Sequence, residues 1–152
     1  MAIVWTSDLY TGIDAIDNQH RRIVDYINQL EDAIAQAKPL VVGAVLDELV
    51  DYTLSHFAFE ESLQVEAGYK LAKPHKAIHD MFTKRVGDFQ IKHRAGENVA
   101  QELHDMLGTW LLHHIKRDDM AYVEVVKEEM QLQDKKEGGG GWLSRSLGRF
   151  FA

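Results

Sequence analysis

Apolar residues recur along this chain with the period of a helix and nowhere with the alternation of a strand. Between Ile16 and Ala37, the residues Ile23, Ile27, Leu30 and Ile34 follow one another at spacings of four, three and four, with His20 three positions ahead of the first. That stripe predicts an amphipathic helix. Lys38-Pro39 interrupts it, and a second stripe runs from about Val41 to Glu66 through Val42, Leu46, Leu49, Thr53, His56, Glu60 and Leu63. Its apolar seam therefore contains a histidine and a glutamate. Gly68 marks its end, and Pro74 suits the first turn of a third helix that carries His75, Ile78, His79, Phe82, Val86 and Phe89 on one side. After a short connection at Arg94-Ala95-Gly96, a fourth helix from about Asn98 to Lys116 aligns Val99, Leu103, Leu107, Trp110 and His114, flanked by Met106 and Leu111. Four such helices with short connections predict an all-α fold, an antiparallel up-and-down four-helix bundle.

The rest of the chain is arranged around that bundle. The first fifteen residues, with Trp5, Leu9 and Tyr10, are too irregular for a helix and are expected to lie across the bundle as an ordered arm. A short closing helix over Ala121 to Asp134 completes a domain of residues 1–134, followed by a glycine-rich linker at 135–141 and a basic amphipathic tail at 142–152. In the tail, Leu143, Leu147, Phe150 and Phe151 share a side with Arg145 and Arg149 beside them. The whole chain of 152 residues carries a net charge of −7, which argues against nucleic acid as a partner. The tail differs: its two arginines without an acid suit an anionic membrane surface or a partner's groove, and the alternative is a disordered tail or a flap folded back on its own bundle. Met1 to Asp17 has no basic segment followed by an apolar core, and no run of about 18 apolar residues occurs. A soluble cytoplasmic monomer is expected, with the tail able to hold it at the periphery of the inner membrane.

Candidate chemistry lies in the eight histidines, since the absence of cysteine removes thiolate metal sites, iron–sulfur clusters and cysteine nucleophiles together. Placing His20, His56, Glu60, His75, His79 and His114 on converging seams would bury a carboxylate and five imidazoles in one apolar core, which is prohibitive without something to coordinate them. His56 with Glu60, and His75 with His79, stand at i and i+4, so each pair shares a helix face about 5 to 6 Å apart. Nitrogen and oxygen donors without sulfur suit iron, manganese or zinc. With a downstream aspartate the set reaches seven side chains, more than one coordination sphere of about six, so two metals are implied. Of the neighbours His113 and His114, only His114 keeps register with Trp110 and Leu107. Helical spacing favours Asp118 as the carboxylate four residues after it. His93 and His104 fit a solvated helix face.

The stretches Asp17-Asn18-Gln19-His20, His56-Phe57-Ala58-Phe59-Glu60-Glu61, Pro74-His75-Lys76-Ala77-Ile78-His79 and Trp110-Leu111-Leu112-His113-His114-Ile115-Lys116-Arg117-Asp118-Asp119 resemble the hemerythrins, in particular the single-domain bacteriohemerythrins. The likeness runs from Trp5 to about Met130. It implies two non-haem iron ions, one capped by His75, His79 and His114 and the other by His20 and His56. Glu60 and Asp119 would bridge them together with an oxo or hydroxo group; here the family pattern selects Asp119 over Asp118. Two octahedral irons offer roughly 12 positions and these groups fill about 11. The open one, on the iron with two histidines, would take dioxygen end-on as hydroperoxide. Leu111, Trp110, Ile23 and Phe59 are candidates for an apolar wall that controls solvent access. The expected function is reversible binding, storage or delivery of dioxygen without catalysis, with a membrane enzyme that consumes oxygen as a possible recipient through residues 142–151. The rivals are oxygen or redox sensing through a separate partner, and a di-iron reductase of peroxide or nitric oxide.

Overall fold

The computed structural model describes residues 2–137 and 141–151. Four long helices form the bundle: α1 (Asp14–Ala35), α2 (Pro39–Glu66), α3 (Ala72–Arg94) and α4 (Ala100–His114). α1 packs on α2 and α4, and α3 closes the ring by packing on α2 and α4. Beyond α4 the chain makes a π-helical turn, Ile115–Asp119, and a 3-10 turn, Met120–Tyr122, before α5 (Val123–Glu137) and α6 (Gly141–Phe150). No strand occurs among the described residues.

Local chemistry sets the helix ends. Lys38-Pro39 reads as a break and is also a start, because Pro39 occupies the first turn of α2, where its fixed φ fits and its missing N–H costs nothing. At the end of α2, Gly68 takes φ +74°. There the Tyr69 N–H reaches the Gln64 carbonyl at 2.9 Å and the Gly68 N–H reaches Val65 at 3.1 Å. This paired closure needs a left-handed residue, which glycine supplies without strain. The short turns leave the starts of α1 and α3 and the ends of α2 and α4 at one end of the bundle.

Two apolar clusters fill the molecule. One occupies the bundle interior around Ile27, Leu30, Leu46, Leu49, Leu103 and Leu107. The other closes the end just described, with Ile13, Ile16, Phe59, Leu63, Tyr122 and Val126. The N-terminal arm is ordered as expected: Ile3 exchanges backbone hydrogen bonds with the Asn28 side chain at 2.8 and 3.0 Å, and Trp5 and Leu9 pack on the first cluster.

The C-terminal segment departs from the sequence reading in its linker, while its tail takes one of the courses left open for it. Lys135 and Lys136, expected in the linker, continue α5 as its last turn; the linker glycines Gly138, Gly139 and Gly140 lie outside the described residues. The tail is a helix, and its apolar side faces the chain's own bundle. Trp142 is buried, Leu143, Leu147, Phe150 and Phe151 pack on the second cluster, and the Phe151 ring lies 6.0 Å from Phe59 and 5.5 Å from Tyr52. The reason is on α2. Phe59 leaves its inner seam sideways, and its ring and that of Tyr52 offer α6 an apolar surface to cover. No described helix is long and apolar enough to cross a membrane.

Candidate metal centre

The N-terminal arm and α1 are locked together where the first histidine enters. The Asp17 carboxylate accepts the Thr11 N–H and hydroxyl, each at 2.8 Å, and the Gly12 N–H at 3.1 Å. One turn on, His20 points inward. α2 brings His56 and Glu60 to the same level, α3 brings His75 and His79, and the end of α4 brings His114. Asp119 arrives by a different route. An ordinary α-helix would put a residue five places after His114 well off its face, but the π-helical turn widens the spiral and returns Asp119 to the histidines. All seven side chains are buried.

Their inner atoms divide into two groups. Glu60 Oε1 lies 2.7 Å from His75 Nε2 and 3.3 Å from His79 Nε2, while Glu60 Oε2 lies 3.0 Å from His56 Nε2 and 3.7 Å from His20 Nε2. Asp119 Oδ1 lies 3.2 Å from both His75 Nε2 and His114 Nε2, while Oδ2 lies 3.1 Å from His20 Nε2. Glu60 Oε1 and Asp119 Oδ1 thus each face two of the three histidines His75, His79 and His114, while Glu60 Oε2 faces His20 and His56 and Asp119 Oδ2 faces His20.

Charge is concentrated here. Burial disfavours an imidazolium at His20 and His75, but the Asp119 and Glu60 carboxylates beside them outweigh it, so their affinities for a proton rise to about 9 and about 10. Burial pushes the Glu60 carboxyl up, and His56, His20 and His75 more than reverse this, holding it well below its ordinary range. Asp119 is likewise held low: His114 and His20 overcome both burial and the Glu60 charge.

This donor set fits metal ions. His79 gives its Nδ1–H to Glu61 and His114 gives its Nδ1–H to Asp118, which leaves lone pairs on the two Nε2 atoms, and those atoms sit 3.0 Å apart. At that distance the two nitrogens must share a cation, either a proton or a metal ion. Glu60 Oε2 and both Asp119 oxygens are also buried without a hydrogen-bond partner among the described residues, a costly arrangement that coordination would relieve. One donor atom from each of Glu60, His75, His79, His114 and Asp119 falls within a 4.8 Å cluster, as does one from each of His20, His56 and Glu60.

Residues 11–126 match the family profile of the hemerythrin HHE cation binding domain. The chain belongs to the hemerythrin family. A bacteriohemerythrin of Pseudomonas aeruginosa is 50% identical over 149 residues, covering 98% of this chain and 97% of that protein. A bacteriohemerythrin of Methylococcus capsulatus is 35% identical, covering 79% of this chain and 93% of that one. The crystal structure of a wild-type hemerythrin superposes with a TM-score of 0.79 at 33% identity, over 83% of this chain and 98% of the other.

Within this hemerythrin fold the side chains expected at the site converge, with two corrections around it. Ile23, Trp110 and Leu111 line a cavity of about 10 Å³ with Phe57, Phe82 and Thr53. Phe59 does not. It points to the second cluster, and Phe57 takes the inner wall, its ring stacked on His79 at 3.8 Å and 6°. Trp110 stacks on His114 at 4.3 Å. The second correction is His104, which is buried rather than solvated, with its Nδ1 3.2 Å from Asp105; His93 does stay at the surface, donating to the Pro39 carbonyl at 3.2 Å. Larger hollows of about 580 and 360 Å³ lie at the opposite end of the bundle around Pro39, His93 and Gly96, away from the donor cluster. Sequence reasoning passed over Gln19 and Glu61, each beside a donor, and Tyr122, whose ring lies 5.6 Å from His75.

Proposed function

We propose that this chain binds dioxygen reversibly at two iron ions, one held by His75, His79 and His114 and the other by His20 and His56, with Glu60 and Asp119 spanning both. The observation that carries the reading is the division of the two carboxylates between a three-histidine and a two-histidine set. Seven protein ligands shared in this way leave the two-histidine side a donor short, and a short side is where an external ligand enters. A ferrous pair supplies the electrons that dioxygen takes up on binding.

The chain's own residues restrict what else can reach the centre. The adjoining cavity, about 10 Å³, has room for at most about one water-sized molecule. Its walls are apolar apart from the Thr53 hydroxyl, which is buried with no hydrogen-bond partner among the described residues. Ile23 and Thr53 stand one helical turn from His20 and His56, and Phe57 and Trp110 stack on His79 and His114, so the cavity lies beside both halves of the centre. Apolar walls admit a neutral gas and disfavour water and anions, which slows loss of the reduced state. No carboxylate, histidine or lysine lines the cavity to deliver protons for repeated turnover, and this favours a carrier over a reductase of peroxide or nitric oxide.

The test is the visible spectrum of the reduced, iron-loaded protein before and after air, with an iron count per chain. A reversible new band at two irons per chain is expected. Rapid turnover of peroxide or nitric oxide with an electron donor, and no lasting oxygenated band, would instead assign the chain to the enzymes.

A further inference from the structure

The imidazoles of the centre turn their Nδ1 atoms outward, and there the two halves differ. In the three-histidine group, His79 Nδ1–H donates to Glu61 Oε2 at 2.7 Å and His114 Nδ1–H donates to Asp118 Oδ2 at 2.9 Å. In the two-histidine group, His56 Nδ1–H donates to the amide oxygen of Gln19 at 2.6 Å. His20 Nδ1 is buried with no hydrogen-bond partner among the described residues. Two anions therefore stand behind one half of the centre and none behind the other. The burial pattern agrees with the chemistry. The Glu61 and Asp118 side chains keep 21% and 23% of their surface exposed, so water shares the cost of their charge. Gln19 is 4% exposed, a place where a carboxylate would be costly and an amide is tolerated.

An imidazole whose Nδ1–H is held by a carboxylate leans toward imidazolate, and its Nε2 becomes a stronger donor; a neutral amide acceptor does this far less. We propose that Glu61 and Asp118 are positioning residues that make the three-histidine half of the centre electron-rich, and that Gln19 keeps the two-histidine half electron-poor. The inference rests on the di-iron reading above. It assigns the halves different tasks: the first favours the more oxidised metal, and the second favours taking a donor atom from an incoming ligand. The same contacts fix ring orientation, since each outer bond prevents its imidazole from rotating away from the carboxylates.

Two near-isosteric substitutions separate charge from shape. Glu61→Gln and Asp118→Asn each keep an oxygen acceptor for the Nδ1–H while removing an anion. In the iron-loaded full chain, redox titration followed by absorption should show a higher midpoint potential for each variant and a larger rise for the double variant. A tenfold change in the redox equilibrium reads as about 59 mV in a one-electron step. A second measurement uses the unaltered full chain loaded with Zn²⁺, which is diamagnetic and has no redox chemistry. There ¹⁵N NMR should find more imidazolate character at His79 and His114 Nδ1 than at His56 Nδ1. Unchanged potentials in both variants at two irons per chain, or equal Nδ1 shifts at the three histidines, would overturn the proposal. The zinc experiment requires neither a variant nor an oxygenated band. Failure of the dioxygen reading alone would therefore leave this inference to be judged separately.

Discussion

At the scale of single residues, Phe57 and Phe59 stand two positions apart on α2 and take opposite roles. At about 100° per residue, the two rings leave the line between His56 and Glu60 by about 80° on opposite sides, so periodicity cannot say which faces the centre. The choice is made by neighbours: His79 and Phe82 on α3 take Phe57, and Ile16, Tyr122 and α6 take Phe59. Gln19 and Glu61 escaped for the same reason, being one position away from a donor. His56→Ala should remove a ligand from the two-histidine side and Glu60→Ala should remove a carboxylate shared by both. Each is expected to abolish the oxygenated spectrum while circular dichroism stays helical, because the apolar seams remain. His93→Ala is the control; a control at His104 would disturb a buried side chain. Leu111→Ala enlarges the apolar cavity and should cost about 2 to 5 kcal/mol in urea unfolding. Loss of the oxygenated band to the ferric state should accelerate, and an unchanged rate would reduce Leu111 to a packing residue.

At the scale of elements, the four helices were readable because their apolar positions hold one period along helices of 15 to 28 residues, while the connections followed rules the period does not carry. The π-helical turn is the clearest case. Straight helical counting favoured Asp118 and the family pattern selected Asp119, and the wider turn uses both: Asp119 faces His20, His75 and His114 from inside, and Asp118 holds His114 from behind. The tail was read correctly as an amphipathic segment, but its destination depended on the apolar patch of α2, which only assembly reveals. Trp142→Ala should therefore destabilise the fold by about 3 kcal/mol, measured by urea unfolding. The full chain and a chain ending at Glu137 should sediment equally with anionic vesicles at low salt. Stronger sedimentation of the full chain would show that α6 leaves the bundle for the membrane.

At the scale of the whole molecule, the protons and the metals compete for the same nitrogen atoms. In the metal-free protein the folded state holds protons on His20 and His75 up to about pH 9 and about pH 10, against an ordinary value of 6.5. The stability this contributes is complete below pH 6.5 and fades as pH rises through those values. Glu60 and Asp119 act in the opposite direction, contributing above their ordinary range and losing that contribution as pH falls. Thermal unfolding of the metal-free chain should accordingly be most resistant between about pH 5 and pH 6.5 and weaken steadily toward pH 10. Adding ferrous iron anaerobically to weakly buffered protein at neutral pH should release protons, because coordinating imidazoles must give them up. Absence of release would mean that His20 and His75 enter the site neutral.

The seven donors all sit at one end of a bundle whose other end carries the larger hollows. Mechanically this resembles a pair of tongs riveted at the jaws: the metals would fasten α1, α2, α3 and α4 together at a single level, leaving the distant turns held by packing and by surface contacts such as His93 to the Pro39 carbonyl and Arg94 to Asp47. Amide hydrogens near the α1–α2 and α3–α4 turns should consequently exchange through local fraying whether or not metal is bound, while those flanking His20, His56, His79 and His114 should slow sharply on loading. The protein can then breathe at its far end without loosening its grip at the near one.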